Sequence, residues 1–429
     1  MGTAAISAVT AAPVSAQVIN TRPFPGIFGS GDPAKSVTQV DFISFLGGGL
    51  ESVTASAGGG LLGTAADDNT FGNLVFRGRM AHQGRRTVFG ANGGATTSYF
   101  SGVGGLAPLS FSAGANYSGE FGRRGTFSLR QTIYHSPYYV LGALTPQTID
   151  GTDPTPDAPD DGVDPRVDQR SSRLSTTGIA SFASVGRQAG RDGLLFAAYS
   201  FDFVDYAPGV SDLMVHSPSG GYRHRISRFS FLNASYGVQM YEYRGSGFPR
   251  FTSQNIALGV GYDRPLSAWR RTTVGFHMST AVVDDGRFSR FYLNGNARIH
   301  RRFGRTWVAG VTYLRGQEVL EGFTAPFFTF SDAVSASFSG RLGRDISLSG
   351  RASFSRSHYT LDELANEFDT ITTSVRLQVP VMWALSAYVE GYYAAHDFEG
   401  RVGLLERVPT ALDRLGTRAG LTVSVPVLR

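Results

Sequence analysis

A chain of 429 residues with mean hydropathy -0.08, 17% charged residues and a formal net charge of +5 excludes several classes at once. Water-soluble surfaces usually carry more charge, no segment approaches the roughly 20 consecutive apolar residues of a spanning helix, and no basic block points to nucleic acid. The absence of cysteine removes disulfides, thiolate metal sites and cysteine nucleophiles.

Residues 1–16 read as part of a secretory signal. Thr3 to Ala12 are small and apolar, and Val14-Ser15-Ala16 before Gln17 fits small-residue cleavage, although a basic n-region is missing. Residues 17–36 are rich in proline and glycine and read as an irregular lead-in. From residue 37 to 429 the chain reads as one repeated pattern. A first strand is expected near Val37 to Leu46, and glycine-diluted strands near Leu74 to Met80, Val88 to Tyr99 and Leu109 to Phe121.

The pattern is clearest in the second half. Val375, Leu377, Val379 and Val381 alternate with Ser374, Arg376, Gln378 and Pro380; after a turn, Leu385, Ala387, Val389, Gly391 and Tyr393 alternate with Ser386, Tyr388, Glu390 and Tyr392. Period two means a strand with one apolar and one polar face. Short, mostly arginine-rich turns are expected near Gly84-Arg85-Arg86, Gly122 to Gly125, Gln188 to Arg191, Arg223 to Arg225, Ser267 to Arg270, Arg301 to Gly304, Leu342 to Arg344 and Met382-Trp383. Those eight turns join sixteen strands, and a first strand at Val37 and a last at Leu421 to Leu428 make eighteen. The opposite connections are longer and acidic: Asp67-Asp68, Tyr138 to Arg173, Asp284-Asp285, Glu318 to Glu321, Leu361 to Asp369 and Asp397 to Glu406. Leu361 to Glu367 suits a turn of loop helix. Trp269, Trp307 and Trp383 fall in or near short turns, where an indole suits a membrane boundary; Tyr241, Tyr243, Tyr359, Tyr392 and Tyr393 are expected at the other rim.

Asymmetric connections around ten-residue alternating segments are the pattern of a transmembrane β-barrel. The expected fold is therefore all-β: an antiparallel up-and-down barrel of about 18 strands, with 16 plus an inward hairpin as the alternative. Pointing the apolar parity outward leaves an inward set of Arg77, Arg79, Arg130, His277, Asn294, Asn296, Arg298, Arg341, Arg351, Arg376, Tyr388 and Glu390. Arginines outnumbering acids suggest a mildly positive interior; a hydrated wall without selectivity is the alternative.

The 138–173 segment holds Asp150, Asp153, Asp157, Asp160, Asp161, Asp164 and Asp168 among four prolines. It reads as an outer loop able to fold inward as a constriction. Calcium could use those oxygens, but the spacing does not match an EF-hand, so no metal or cofactor is assigned. Enzyme chemistry needs a nucleophile, a base and an orienting group that converge, and no such constellation or HExxH motif occurs. The expectation is a non-enzyme.

The repeat, the arginine-rich turns and the aromatic rims resemble those of bacterial outer-membrane β-barrel proteins, porin-like in style and similar to barrels that accompany exopolysaccharide export. One departure is the C-terminus, Val425-Pro426-Val427-Leu428-Arg429, where such barrels usually end in an aromatic residue. The resemblance implies a Gram-negative outer-membrane location, contact with membrane lipid and lipopolysaccharide, and small solutes or oligosaccharide as cargo. Four functions stay open: passive diffusion with an anion lean, polysaccharide export or surface-glycan binding through Tyr292, Tyr388 and Tyr392, a closed structural or adhesion barrel, and, last, a membrane hydrolase. Oligomeric state is not legible, because one lipid-facing strip looks like another.

Overall fold

The computed structural model describes residues 37–56, 65–84, 86–100, 105–106, 109–122, 124–136, 175–206, 212–244, 250–265, 271–284, 289–320, 327–343, 345–361, 364–399 and 411–428. The expected signal (1–16), lead-in (17–36), acidic 138–173 segment and Trp269 lie outside these residues.

The strands are β1 (Val37–Ser56), β2 (Ala65–Gln83), β3 (Thr87–Phe100), β4 (Gly105–Leu106), β5 (Ser110–Phe121), β6 (Gly125–Ser136) and β7 (Thr176–Ala189). They continue as β8 (Gly193–Tyr206), β9 (Asp212–Arg225), β10 (Ser230–Arg244), β11 (Phe251–Pro265), β12 (Thr272–Asp284) and β13 (Ser289–Phe303). The last are β14 (Trp307–Leu320), β15 (Phe327–Leu342), β16 (Ile346–Leu361), β17 (Leu364–Met382), β18 (Leu385–Glu399) and β19 (Ala411–Leu428). The two-residue β4 pairs only with the end of β3, at Tyr99 and Phe100. The other eighteen described strands pair antiparallel with their sequence neighbours, and β19 pairs with β1 to close the ring. Closure removes every edge, the condition for a sheet to span lipid.

Parity is continuous around the ring. Exposed apolar side chains occupy one face: Phe42, Leu46 and Leu50 on β1, Phe76 on β2, Leu129 and Ile133 on β6, and Val375, Leu377, Val379 and Val381 on β17. In a water-soluble protein such a surface would aggregate; around a barrel it is the lipid-facing band. Its height can be read on β17, where the outward residues run apolar or neutral from Ile371 to Val381. Ten residue steps are about 33 Å along a strand, or about 25 Å at the usual tilt of about 40°. That matches the apolar band of a membrane barrel.

A row of charges marks the upper edge. Cross-strand partners on the outward face run Arg315, Asp332, Arg356, Asp369, Asp397 over β14–β18. Arg356 donates through Nε and Nη2 to the two Asp369 oxygens at 2.9 and 2.7 Å, and Tyr313 donates to Asp332 at 2.6 Å. Charge in hydrocarbon is costly, so the bilayer ends below this row. At the lower edge lies Trp383, 82% exposed.

Among the described residues the short turns fall where arginine and glycine were concentrated, with positive φ at Gly122, Gly190, Gly304 and Gly343; the expected turn at Ser267 to Arg270 lies outside those residues. The turn after β9 sits slightly later than expected, at 226–229, with Arg223 to Arg225 still in strand. Strand lengths differ more. β1 runs through Gly47-Gly48-Gly49 to Ser56, β2 includes Asp67-Asp68, and β19 begins at Ala411 rather than Leu421. The expected loop helix at Leu361 to Glu367 is also corrected, because Leu364 to Glu367 already pair as strand with Leu361 to His358. The physical reason is shared. Acid and glycine were read as loop because neither suits a lipid-facing strand, yet these strands continue above the band.

Candidate functional site

The inward face has two different walls. The first crosses the closure, from β17 through β18 and β19 to β1. Arg376, Glu390, Arg418 and Gly49 follow one another as cross-strand partners. Arg418 grips Glu390 with two parallel hydrogen bonds, Nε to Oε2 at 3.1 Å and Nη2 to Oε1 at 2.7 Å. Across the closing pair, Arg414 donates through Nε and Nη2 to Glu51 Oε1 at 2.9 and 2.6 Å. Both carboxylates are buried. Paired geometry of this kind is what makes a buried charge tolerable.

Aromatic rings fill the rest of this wall. The Arg376 guanidinium carbon lies 4.2 Å from the Tyr388 ring centre, and Phe45 packs with Val75 and Tyr388. Tyr388 lies across two glycines. A Cβ on Gly47 would meet the Tyr388 hydroxyl, and one on Gly420 would come 2.7 Å from Gly47 Cα and strike the Leu46 carbonyl oxygen. Glycine at both positions lets β19 and β1 approach under the ring, an arrangement used to rescue glycines in sheets. Tyr392 covers Gly416 likewise.

The second wall runs over β9–β13. Here the inward cross-strand row reads Arg223, Asn233, Gly259, Ser279, Asn294. His277 and Asn296 are partners one row below. The Phe231 ring lies between Arg223, whose guanidinium carbon is 4.7 Å from its centre, and His277, whose ring is 6.3 Å away.

Every residue of the inward set reported above takes the parity opposite to the exposed apolar band. Arg77 and Arg79 stand on β2, Arg130 on β6, His277 on β12, Asn294, Asn296 and Arg298 on β13, Arg341 on β15, Arg351 on β16, Arg376 on β17, and Tyr388 and Glu390 on β18. They do not form one site. Arg376, Tyr388 and Glu390 belong to the closure wall and His277, Asn294 and Asn296 to the second wall, while Arg79 and Arg130 are exposed on strands between the two. Missed by the sequence reading were Glu51, Arg414 and Arg418, the ionic centre of the closure, because β1 and β19 were drawn too short.

The inner face is not polar throughout. Val204, Leu213, Val215 and Tyr241 on β8–β10 face inward and are buried, with Leu213 paired to Val204 and Val215 to Tyr241. This corrects the expected rim role of Tyr241 and Tyr243, which lie on the inward parity beneath 7% exposure. Tyr392 is inward as well, whereas Tyr393 faces outward and donates to Asp413 at 3.2 Å; the Tyr359 side chain lies outside those described.

No protein-family model matches the chain, and no curated protein is similar to it. Among solved structures it is similar to OccK7 (OpdD) of Pseudomonas aeruginosa, at 11% identity and TM-score 0.45 over 92% of this chain and 100% of that one. It is also similar to OccAB2 of Acinetobacter baumannii, at 11% identity and TM-score 0.41 over 91% and 98%, and to the FrpB iron transporter of Neisseria meningitidis, at 9% and 0.41 over 91% and 81%. Superpositions this loose leave the fold to be read from strand order and register.

Proposed function

We propose that the protein is an outer-membrane channel for passive diffusion of small solutes, with a mild preference for anions. One observation carries the reading: a closed barrel of eighteen described spanning strands with an apolar outer band of bilayer height and an inner face rich in arginine. Barrels of 16–18 strands leave an aqueous channel, whereas about eight strands are filled by side chains. A closed, even-stranded antiparallel barrel with short turns at one end belongs in a bacterial outer membrane. The upper charged row then meets the headgroup layer, lipopolysaccharide included.

The charge preference follows from how the charges are divided. Asp332, Glu367, Asp369, Asp397 and Asp413 take the outward parity near the upper rim, while Arg77, Arg79, Arg130, Arg298, Arg341 and Arg351 take the inward one. Glu390 and Glu51 are each held by an arginine of their own wall, and the other inward acids with described side chains, Asp41, Glu120 and Asp202, are fewer than these arginines. A lumen so lined raises the local concentration of anions.

Liposomes containing the refolded protein test this directly. They should swell in small solutes, and faster in an anionic solute than in a cationic one of equal size. Equal rates would remove the preference and keep the channel. No swelling would point to a closed structural barrel.

A further inference from the structure

We propose that the outer face of β5–β7 is where two copies of this chain meet in the membrane, with Gln131 on the two-fold axis. The proposal takes the lipid-facing band from the reading above and does not depend on whether the barrel conducts.

Gln131 has the parity of Leu129 and Ile133, which flank it along β6 and are 50% and 40% exposed. It stands four residue steps above Phe127, about 13 Å along the strand and about 10 Å in height at the usual tilt. That is inside the band of about 25 Å, so its exposed carboxamide faces hydrocarbon. A polar group in lipid is costly unless it is answered. Other outward polar side chains are answered in their own wall. His135 meets Thr177 Oγ1 at 2.9 Å, Tyr199 meets His216 Nδ1 at 2.7 Å, and Tyr236 donates to Gln254 at 3.2 Å. The Gln131 side chain has no hydrogen-bond partner among the described residues.

Its surroundings are small. Ala115 and Ser181 are its cross-strand partners, with Gly93 and Ala113 one row above and Ala183 one row below. On the far side of the ring the same band carries Phe338, Phe354, Ile371, Val375 and Leu377. Apolar surfaces gain nothing by leaving lipid for one another. Membrane interfaces therefore form where small side chains let backbones approach and a polar group finds its complement. Both conditions fall together around Gln131.

The chemistry of the group selects the occupant. A carboxamide both donates and accepts, so a second Gln131 complements it, N–H to C=O in both directions. An acyl chain offers neither. A two-fold axis along the membrane normal makes that pairing and keeps both barrels in one orientation. Such a contact is self-complementary and closes at two copies.

Crosslinking of the full chain in vesicles tests the contact on a clean background, because the chain has no cysteine. Q131C should oxidise to a disulfide-linked dimer that a reductant returns to monomer, while L377C should stay monomeric. A115C, one strand off the axis, should join through a short bis-maleimide, which keeps the test open if Q131C does not fold. The unsubstituted chain should sediment as a dimer in detergent, and Q131L should weaken that dimer about tenfold, the loss of a hydrogen-bonded pair in lipid. A chain that sediments only as monomer and gives no Q131C dimer would overturn the proposal. Equal crosslinking of Q131C and L377C would also overturn it, because it would report collision alone. A dimer that Q131L leaves unchanged would overturn Gln131 as its centre, and a trimer would overturn the two-fold arrangement. None of these results bears on conduction, which liposome swelling reads separately.

Discussion

The closure wall and the β9–β13 wall are both polar and both inward, yet they differ in what completes them. On the closure wall each buried carboxylate meets an arginine of a neighbouring strand, and Tyr388 and Tyr392 lie flat on cross-strand glycines. On the second wall Arg223 Nε, Asn233 Oδ1, His277 Nε2 and Asn294 Oδ1 are as well buried but have no hydrogen-bond partner among the described residues. Polar groups that answer one another across strands hold the seam, whereas the unanswered buried atoms of the second wall cost their desolvation.

Substitutions can break this contrast. The largest effect is expected on the closure wall: Arg414→Met leaves Glu51 buried without its cation and should cost about 3–5 kcal/mol, while replacing both partners with apolar residues should cost much less. Urea unfolding in lipid vesicles measures both. If the single variant were no worse than the double, the pair would not be holding the seam. Both walls hang from the same outer band, and there Leu377→Arg, near its mid-height, should cost about 2–4 kcal/mol. A neutral result would show that the face is not in lipid.

Gly420→Val sharpens the account of the seam. Its Cβ meets backbone on β1, so a loss of about 1–3 kcal/mol is expected, and an unaffected barrel would mean that the β1–β19 register differs. On the second wall the sign should change. Asn233→Leu removes an orphan without breaking a hydrogen bond, so stability should move by less than about 1 kcal/mol in either direction. A severe loss would reveal that Asn233 is a structural member after all. Smallest for folding is Arg79→Glu with Arg130→Glu, both exposed, within about 0.5 kcal/mol; their reversal potential should move toward cations, and an unmoved potential would take these arginines out of the conduction path.

Much of this was legible in the sequence, for a physical reason. Period-two alternation fixes faces, and glycine next to arginine marks tight turns, so strand number and the inward set could be drawn before any coordinates. Strand length could not. The first strand was expected to end near Leu46, yet it continues through Gly47-Gly48-Gly49, where the ring of Tyr388 lies across Gly47 and Gly420. The apolar inner patch of Val204, Leu213, Val215 and Tyr241 was hidden by the rule that a lumen is polar. The Arg223–Asn294 row was hidden by distance in sequence, since its members meet only when five strands are set in register. The acidic 138–173 segment, expected as an inward constriction, lies outside the described residues.

The most direct test is conductance of the refolded protein in a planar bilayer under a salt gradient. Stable open steps with a reversal potential leaning toward anions are the predicted result. Folded, inserted protein that passes no current would contradict the central claim and leave a closed barrel whose walls serve only to hold it together.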